Sequence, residues 1–215
     1  MAHYLTIAAD GEAETEVRRS RFRCTLRRVG TEDEARAVVD GLRREHWDAR
    51  HHCSAFVLGA PPQQVERSHD DGEPAGTAGT PMLEVLRGAG PAHEGVSDVV
   101  AVVTRWFGGT LLGAGGLVRA YTAAAQAGLA EAGRLRREPR TLVEVAVPAA
   151  QAGRLENAIR QAGADVGEVR WADQVVLPVT VPDPAAFARL VAEQSGGAAR
   201  VTEVGQVWAD VPDVR

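Results

Sequence analysis

His69, Asp70, Asp71 and Glu73 stand within five positions of one another, inside the glycine-rich stretch SHDDGEPAGTAGTP at 68–81. Carboxylates set this close raise one another's pKa, which suits general acid–base work. Their oxygens are also hard ligands for a divalent cation. The spacing matches no EF-hand, which needs alternating ligands and a glutamate at its twelfth position. Asp beside Gly also builds ordinary turns. Three readings therefore stand side by side: loop architecture, a ligand or partner surface, and a metal or catalytic set.

A second stretch, RWFGGTLLGAGG at 105–116, puts Arg105, Trp106 and Phe107 beside Gly108, Gly109, Gly113, Gly115 and Gly116. A glycine-rich turn entering a helix presents free N–H groups and a positive dipole end to an anion. Arg105 and Arg119 would flank such an anion. The spacing is not a dinucleotide fingerprint, because Gly113 and Gly115 fit G-x-G but Val118 occupies the next required position. The competing reading is a tight, close-packed turn. If both loops end on one surface, Asp71 or Glu73 comes within pairing distance of Arg105. On a continuing strand Trp106 and Phe107 alternate sides, which predicts one in the core and the other partly exposed as a contact anchor.

His51-His52-Cys53 is a third cluster. Cys with His can make a nucleophile or a zinc site. Only Cys24 and Cys53 are on offer as thiols, and an inert buried cysteine is the commoner outcome. Neither a Gly-x-Ser-x-Gly elbow nor an HExxH helix occurs.

The elements that must position these groups follow from periodicity. Residues 14–28 read as a strand with Ser20, Phe22, Cys24 and Leu26 on one face and Arg19, Arg21, Arg23 and Arg27 on the other. That arginine face could read a phosphate backbone, or pair with Glu12, Glu14 and Glu16 from a neighbouring strand. Thr31-Glu-Asp-Glu34 is a capping box starting a helix with Ala35, Val38, Val39 and Leu42 inside. Residues 52–58 read as a strand, and a short strand precedes the acidic loop. Pro81–Leu86 suits a helix with proline in its first turn. Val99–Thr104 reads as a fully buried strand. Residues 116–132 form a helix with a small inner stripe of Ala120, Ala124, Ala127 and Gly128.

A boundary is expected near 133–139, where Arg134, Arg136 and Arg137 crowd together. It separates an N-terminal domain over 1–135 from a C-terminal domain over 136–215. Beyond it the order reads strand 141–147, helix 149–162, strand 165–171, strand 174–181, helix 184–195 and strand 200–208. This βαββαβ order is the ferredoxin-like pattern. Its predicted core is Val143, Val145, Leu155, Ile159, Val176, Phe187, Leu190 and Val201.

Composition narrows the function classes. The chain has 215 residues, no lysine and 24 arginines, and a formal net charge of −5. Without lysine there is no Schiff-base lysine and no Walker lysine. A net negative chain does not suit broad nonspecific nucleic-acid binding. The beginning of the sequence does not read as a signal peptide, and the chain is expected to be cytoplasmic, with its two cysteines reduced.

DDGEPAGTAGTPM (70–82) and RWFGGTLLGAGGLVRAY (105–121) resemble the signature segments of the IMPACT/YigZ family, and ARHHCSAFVLGA (49–60) and SRFRC (20–24) fit the same family. The resemblance implies an α+β protein of two domains. The first would be similar to the second domain of a small-subunit ribosomal protein, the second to ferredoxin-like domains of a translocating elongation factor. It also implies a binding role connected with translation, through a protein or RNA–protein partner, with no cofactor. The residues leave a second reading open, an enzyme or small-ligand binder taking an anionic, phosphate-containing substrate at the glycine-rich loop. An enzyme requires the carboxylates to converge with Arg105 in a concave pocket.

Overall fold

Strand and helix periods along the chain resolve into an α+β architecture. The structure is a computed structural model that describes residues 3–90 and 95–211. The described chain divides into two compact units, residues 3–137 with Val211 and residues 138–210.

In the first unit, β2 (Gly11–Val17), β3 (Ser20–Arg28), β4 (His51–Leu58), β5 (Val65–His69) and β6 (Val99–Trp106) form an antiparallel sheet in the order β2-β3-β6-β4-β5. Central β6 is apolar at successive positions because both its faces are covered. Val100 and Val102 pack with Ala35 and Leu42 of α1 (Glu32–Glu45). Val99, Ala101 and Val103 pack on the opposite side with Met82 and Leu86 of α2 (Gly79–Arg87) and Tyr121 and Ala124 of α3 (Ala114–Ala132). The cap of α1 forms as its sequence dictates. Thr31 Oγ1 accepts from Glu34 N at 3.2 Å, while Glu34 Oε2 reaches back to Gly30 N at 2.6 Å.

The expected single strand over 14–28 is instead a hairpin. Arg18 and Arg19 take positive φ values of 47° and 66° between β2 and β3. Two successive left-handed residues match the twist of the paired strands, and period-2 patterning alone does not reveal such a turn. The arginines of β3 are answered by β2: Arg23 and Arg27 bond Glu12 at 2.8 and 2.6 Å, and Arg21 lies 3.9 Å from Glu14.

Helix α3 lies close on β3 because it carries Gly128 there. A Cβ at that position would stand 2.6 Å from Leu26 Cδ1 and 2.7 Å from Cys24 Sγ. The helix starts two residues before the expected Gly116, and Ala127 is only partly buried, so the inner stripe is Ala120, Tyr121, Ala124, Ala125 and Gly128. Strand β1 (Tyr4–Ile7) pairs antiparallel with the first four residues of β7 (Arg134–Val147). The arginine-rich stretch expected as a boundary is therefore strand.

The second unit holds the remainder of β7, α4 (Ala149–Gln161), β8 (Asp165–Val166), β9 (Arg170–Trp171), β10 (Val175–Val181), α5 (Pro184–Ser195) and β11 (Arg200–Val211). β11 pairs with β7, β7 with β10, and β10 with both β8 and β9, the ferredoxin-like arrangement. The expected strand 165–171 is two short pieces, with Gly167 N donating to Pro178 O between them. Val143, Val145, Leu155, Ile159 and Phe187 are buried together, and Leu190 and Val201 pack partly against them. Val176 faces away. Along β10 the buried residues are Val175, Leu177, Val179 and Val181, so the alternation runs in the opposite phase to that expected.

Candidate functional site

The two glycine-rich loops meet at one end of the first unit's sheet. Arg105, the penultimate residue of β6, points toward the α3 side, where its guanidinium carbon lies 5.3 Å from the Phe22 ring centre. Its Nη1 donates to Glu73 Oε1 at 2.5 Å, and the two side chains are only 7% and 4% exposed. Tyr121 OH, from the second turn of α3, donates to the same oxygen at 2.8 Å. Cys53 Sγ lies 3.3 Å from Tyr121 OH and 2.9 Å from the backbone oxygen of Asp70. A connected polar path thus runs from β6 through the acidic loop and α3 to β4, in the layer that closes the core.

Electrostatics hold this path neutral apart from the Glu73–Arg105 pair. Burial pushes the Cys53 thiol up to about 12, with the Tyr121 hydrogen bond acting in the opposite sense. Burial, then Cys53 and Glu73, carry the Tyr121 phenol far above its ordinary range. A protonated thiol beside a protonated phenol is no nucleophile at neutral pH. Burial likewise raises Cys24 to about 12.

Asp70 and Asp71 serve the backbone. Asp70 accepts from the N–H groups of Gly76, Ala78 and Gly79 at 2.8, 3.0 and 2.8 Å, which closes the loop and caps the entry to α2. Partial burial raises its pKa, but these bonds outweigh that, and the carboxyl sits below the usual aspartate range. Asp71 Oδ2 accepts from His52 N at 2.7 Å and its Oδ1 from Arg43 Nη2 at 2.6 Å. His51 Nδ1 meets Asp71 O at 2.8 Å. His52 is buried on the other face of β4, and burial lowers its pKa. Of the three carboxylates, only Glu73 meets Arg105.

The aromatics divide differently from the expected core-and-surface split. Trp106 is half-buried, with Arg21 stacked 4.5 Å from its ring centre, His46 edge-on at 5.3 Å, and its Nε1–H donating to Asp48 at 2.9 Å. Phe107 is 47% exposed and Leu111 is 81% exposed. Neither aromatic enters the core. Gly108 admits the hairpin tip: a Cβ there would lie 2.0 Å from the carbonyl carbon of Arg19. Its N–H donates to Ser20 Oγ at 3.0 Å. Gly109 and Gly113 have positive φ, and Gly113 begins α3 with no side-chain cap. Gly115 lies under Arg119, and Gly116 packs on Leu112. Arg119 is exposed and lines a shallow depression with Arg18, Leu112 and Gly116, in whose walls Arg105 takes no part.

The carboxylates and Arg105 thus form a packed hydrogen-bonded layer. A groove of about 980 Å³ between α2 and α3, bordered by Thr80, Glu84, Val118, Thr122 and Leu129, includes none of Asp70, Asp71, Glu73 or Arg105. Among the described residues, no group of three His, Cys, Asp or Glu side chains is placed to hold a metal. None of their helices is long and apolar enough to cross a membrane. Tyr121 is the site residue that sequence reasoning missed. Its signal was a single large hydroxyl-bearing residue in an otherwise small-residue helix face.

These features define a two-domain α+β protein whose first domain closes one end of its sheet with two internally ion-paired loops. The Impact N-terminal domain family matches residues 18–129, and the chain belongs to the IMPACT family. It is similar to IMPACT family member YvyE of Bacillus subtilis (strain 168), 37% identical over 202 residues, covering 93% of this chain and 90% of that protein. It is also similar to IMPACT family member YigZ of Escherichia coli (strain K12), 46% identical over 143 residues, covering 66% of this chain and 67% of the relative. A solved structure titled as that of a hypothetical protein superposes with a TM-score of 0.67 at 36% identity, covering 95% of this chain and 98% of the other.

Proposed function

We propose that this protein works in the cytoplasm by binding, and that its partner is a protein or RNA–protein assembly of the translation machinery. The working surface is the loop end of the first unit. The observation that carries this reading is the Glu73–Arg105 pair, which joins two loops 32 positions apart and leaves Phe107 and Leu111 projecting from a braced base. Exposed aromatic and leucine side chains on a preorganised support lose little entropy on docking. The chemistry of an acid–base enzyme is less well served. Asp70 and Asp71 are committed to backbone N–H groups, and Cys53 and Tyr121 are protonated.

The test is affinity capture from native lysate, with and without nuclease, comparing wild type with Phe107→Ala/Leu111→Ala and identifying proteins by mass spectrometry. Both substituted side chains are exposed, and thermal melting checks that the variant folds. Enrichment of ribosomal proteins or translation factors by wild type, lost in the variant, supports the reading. Equal capture by both overturns it.

A further inference from the structure

The strand arginines that sequence reading offered as a phosphate-reading face are not equally available. Arg23 and Arg27 are held by Glu12, and Arg21 stacks on Trp106 near Glu14. The hairpin tip is different. Arg18 donates only to the backbone oxygen of Leu111, at 3.5 Å, and Arg19 has no carboxylate partner among the described residues. Arg119 is likewise without one, and it shares the depression with Arg18. The Arg19 backbone is seated against Gly108, Arg18 reaches Leu111 O, and Arg119 lines the depression beside Leu112, so the tip and the start of α3 flank the Phe107–Gly113 loop. Phe107 has the Arg105 guanidinium 5.8 Å from its ring centre and is 47% exposed. A cation supports one side of the ring, and nearly half of its surface is left open. Arg105 itself is over nine-tenths buried, and among the described residues its Nε has no hydrogen-bond partner.

We infer that this end of the first unit binds single-stranded RNA directly, with Phe107 as a stacking platform and Arg18, Arg19 and Arg119 as phosphate contacts. The inference rests on the reading of the loop end as the working surface. Uncompensated guanidinium forks match phosphate geometry, and an open aromatic face accepts any base. The opposite reading, a protein docking on this patch, calls on apolar area. The loop end offers two exposed apolar side chains, Phe107 and Leu111. That is short of the aromatic-rich centre of a standard protein interface. The net charge of −5 is a property of the whole chain, whereas a short strand responds to the local charge at the tip. Glu16, exposed on β2, is the acid nearest this tip along the strand, and it stands opposite Arg21.

The experiment is fluorescence anisotropy with a labelled oligouridylate of about 12 nucleotides, at about 50 and 200 mM salt, a range over which phosphate contacts are read by their salt dependence. A duplex RNA of the same length serves as comparison. Wild type is expected to bind the single strand more tightly than the duplex. Phe107→Ala should weaken binding roughly 5- to 100-fold with the salt slope unchanged, as loss of one stacked base requires. Arg18→Ala/Arg119→Ala should make the slope of log K against log salt shallower by about 1.4, at about 0.7 per phosphate contact. All three side chains are exposed, and thermal melting confirms that the variants fold. Failure of wild type to bind at about 50 mM salt, equal affinity for duplex, or indifference to both variants overturns the inference. A nuclease-resistant capture of translation proteins without oligonucleotide binding overturns this inference and leaves the proposed function standing. Oligonucleotide binding without such capture does the reverse.

Discussion

Arg105 on β6 and Glu73 in the β5–α2 loop form a buried ion pair at 2.5 Å, with Tyr121 donating to the same carboxylate oxygen. Removing one partner of a buried pair leaves the other charged and unsolvated. Arg105→Ala and Glu73→Ala should each cost about 3–5 kcal/mol of stability. Replacing both with apolar residues of similar size, as in Glu73→Leu/Arg105→Met, should recover most of the loss. Urea unfolding of the single and double variants checks this, and additive losses would show that the pair is not coupled.

Two glycines set how closely backbone and helix approach. Gly128→Ala forces a methyl group onto Leu26 and Cys24, and about 1–3 kcal/mol of destabilisation is expected from overpacking. Gly108→Ala places its methyl on the Arg19 backbone, which cannot yield as a side chain can. The hairpin tip should separate from the Phe107 loop. The expected readout is increased amide hydrogen exchange confined to residues 17–21 and 107–113, and an unchanged exchange pattern would show that the loop absorbs the methyl.

Acid should weaken the fold in two stages. His52 has a folded pKa below the ordinary 6.5 because it is buried. Above 6.5 it is neutral in both states and its contribution is complete. As pH falls through and below 6.5 the unfolded chain takes up a proton that the folded chain refuses, and stability drops. His52→Leu should flatten that part of the profile. Asp70 has a folded pKa below the ordinary 3.8, so its contribution is complete above that value and is lost as pH falls through the folded pKa. Asp70→Asn should be less stable than wild type at neutral pH and converge with it in strong acid. Urea midpoints measured across the acid range decide both.

Both thiols should be silent in the native protein. Cys24 and Cys53 are fully buried and burial raises each to about 12. A thiol reagent such as DTNB is expected to react with neither at neutral pH, and with both after unfolding in guanidinium. Rapid modification of one thiol in folded protein would show that the loop layer opens readily.

Local periodicity made much of the fold legible. The alternation of Phe22, Cys24 and Leu26, the apolar run of β6, the Thr31 cap and the βαββαβ order each depend on residues a few positions apart, and each formed. The Arg18–Arg19 turn was not legible, because period-2 patterning continues through a two-residue turn. The phase of β10 was misread although Thr180 stands on the same face as Val176 and marks that face as the outward one. The site divides in the same way. Its charged and aromatic residues could be named from composition, but their roles could not be assigned. Glu73, not Asp71, meets Arg105, and Tyr121 joins them from 48 positions away. Which arginines keep their charge unanswered depends on strand pairing, since Glu12, opposite Thr25, reaches Arg23 and Arg27 on either side of it, while the pairing ends at Val17 and Ser20 and leaves Arg18 and Arg19 in the turn. The sequence determined which chemical groups exist and which short segments form. Only the tertiary structure decided which were buried as pairs and which were left facing solvent, because burial and long-range pairing are set by strand order and helix placement.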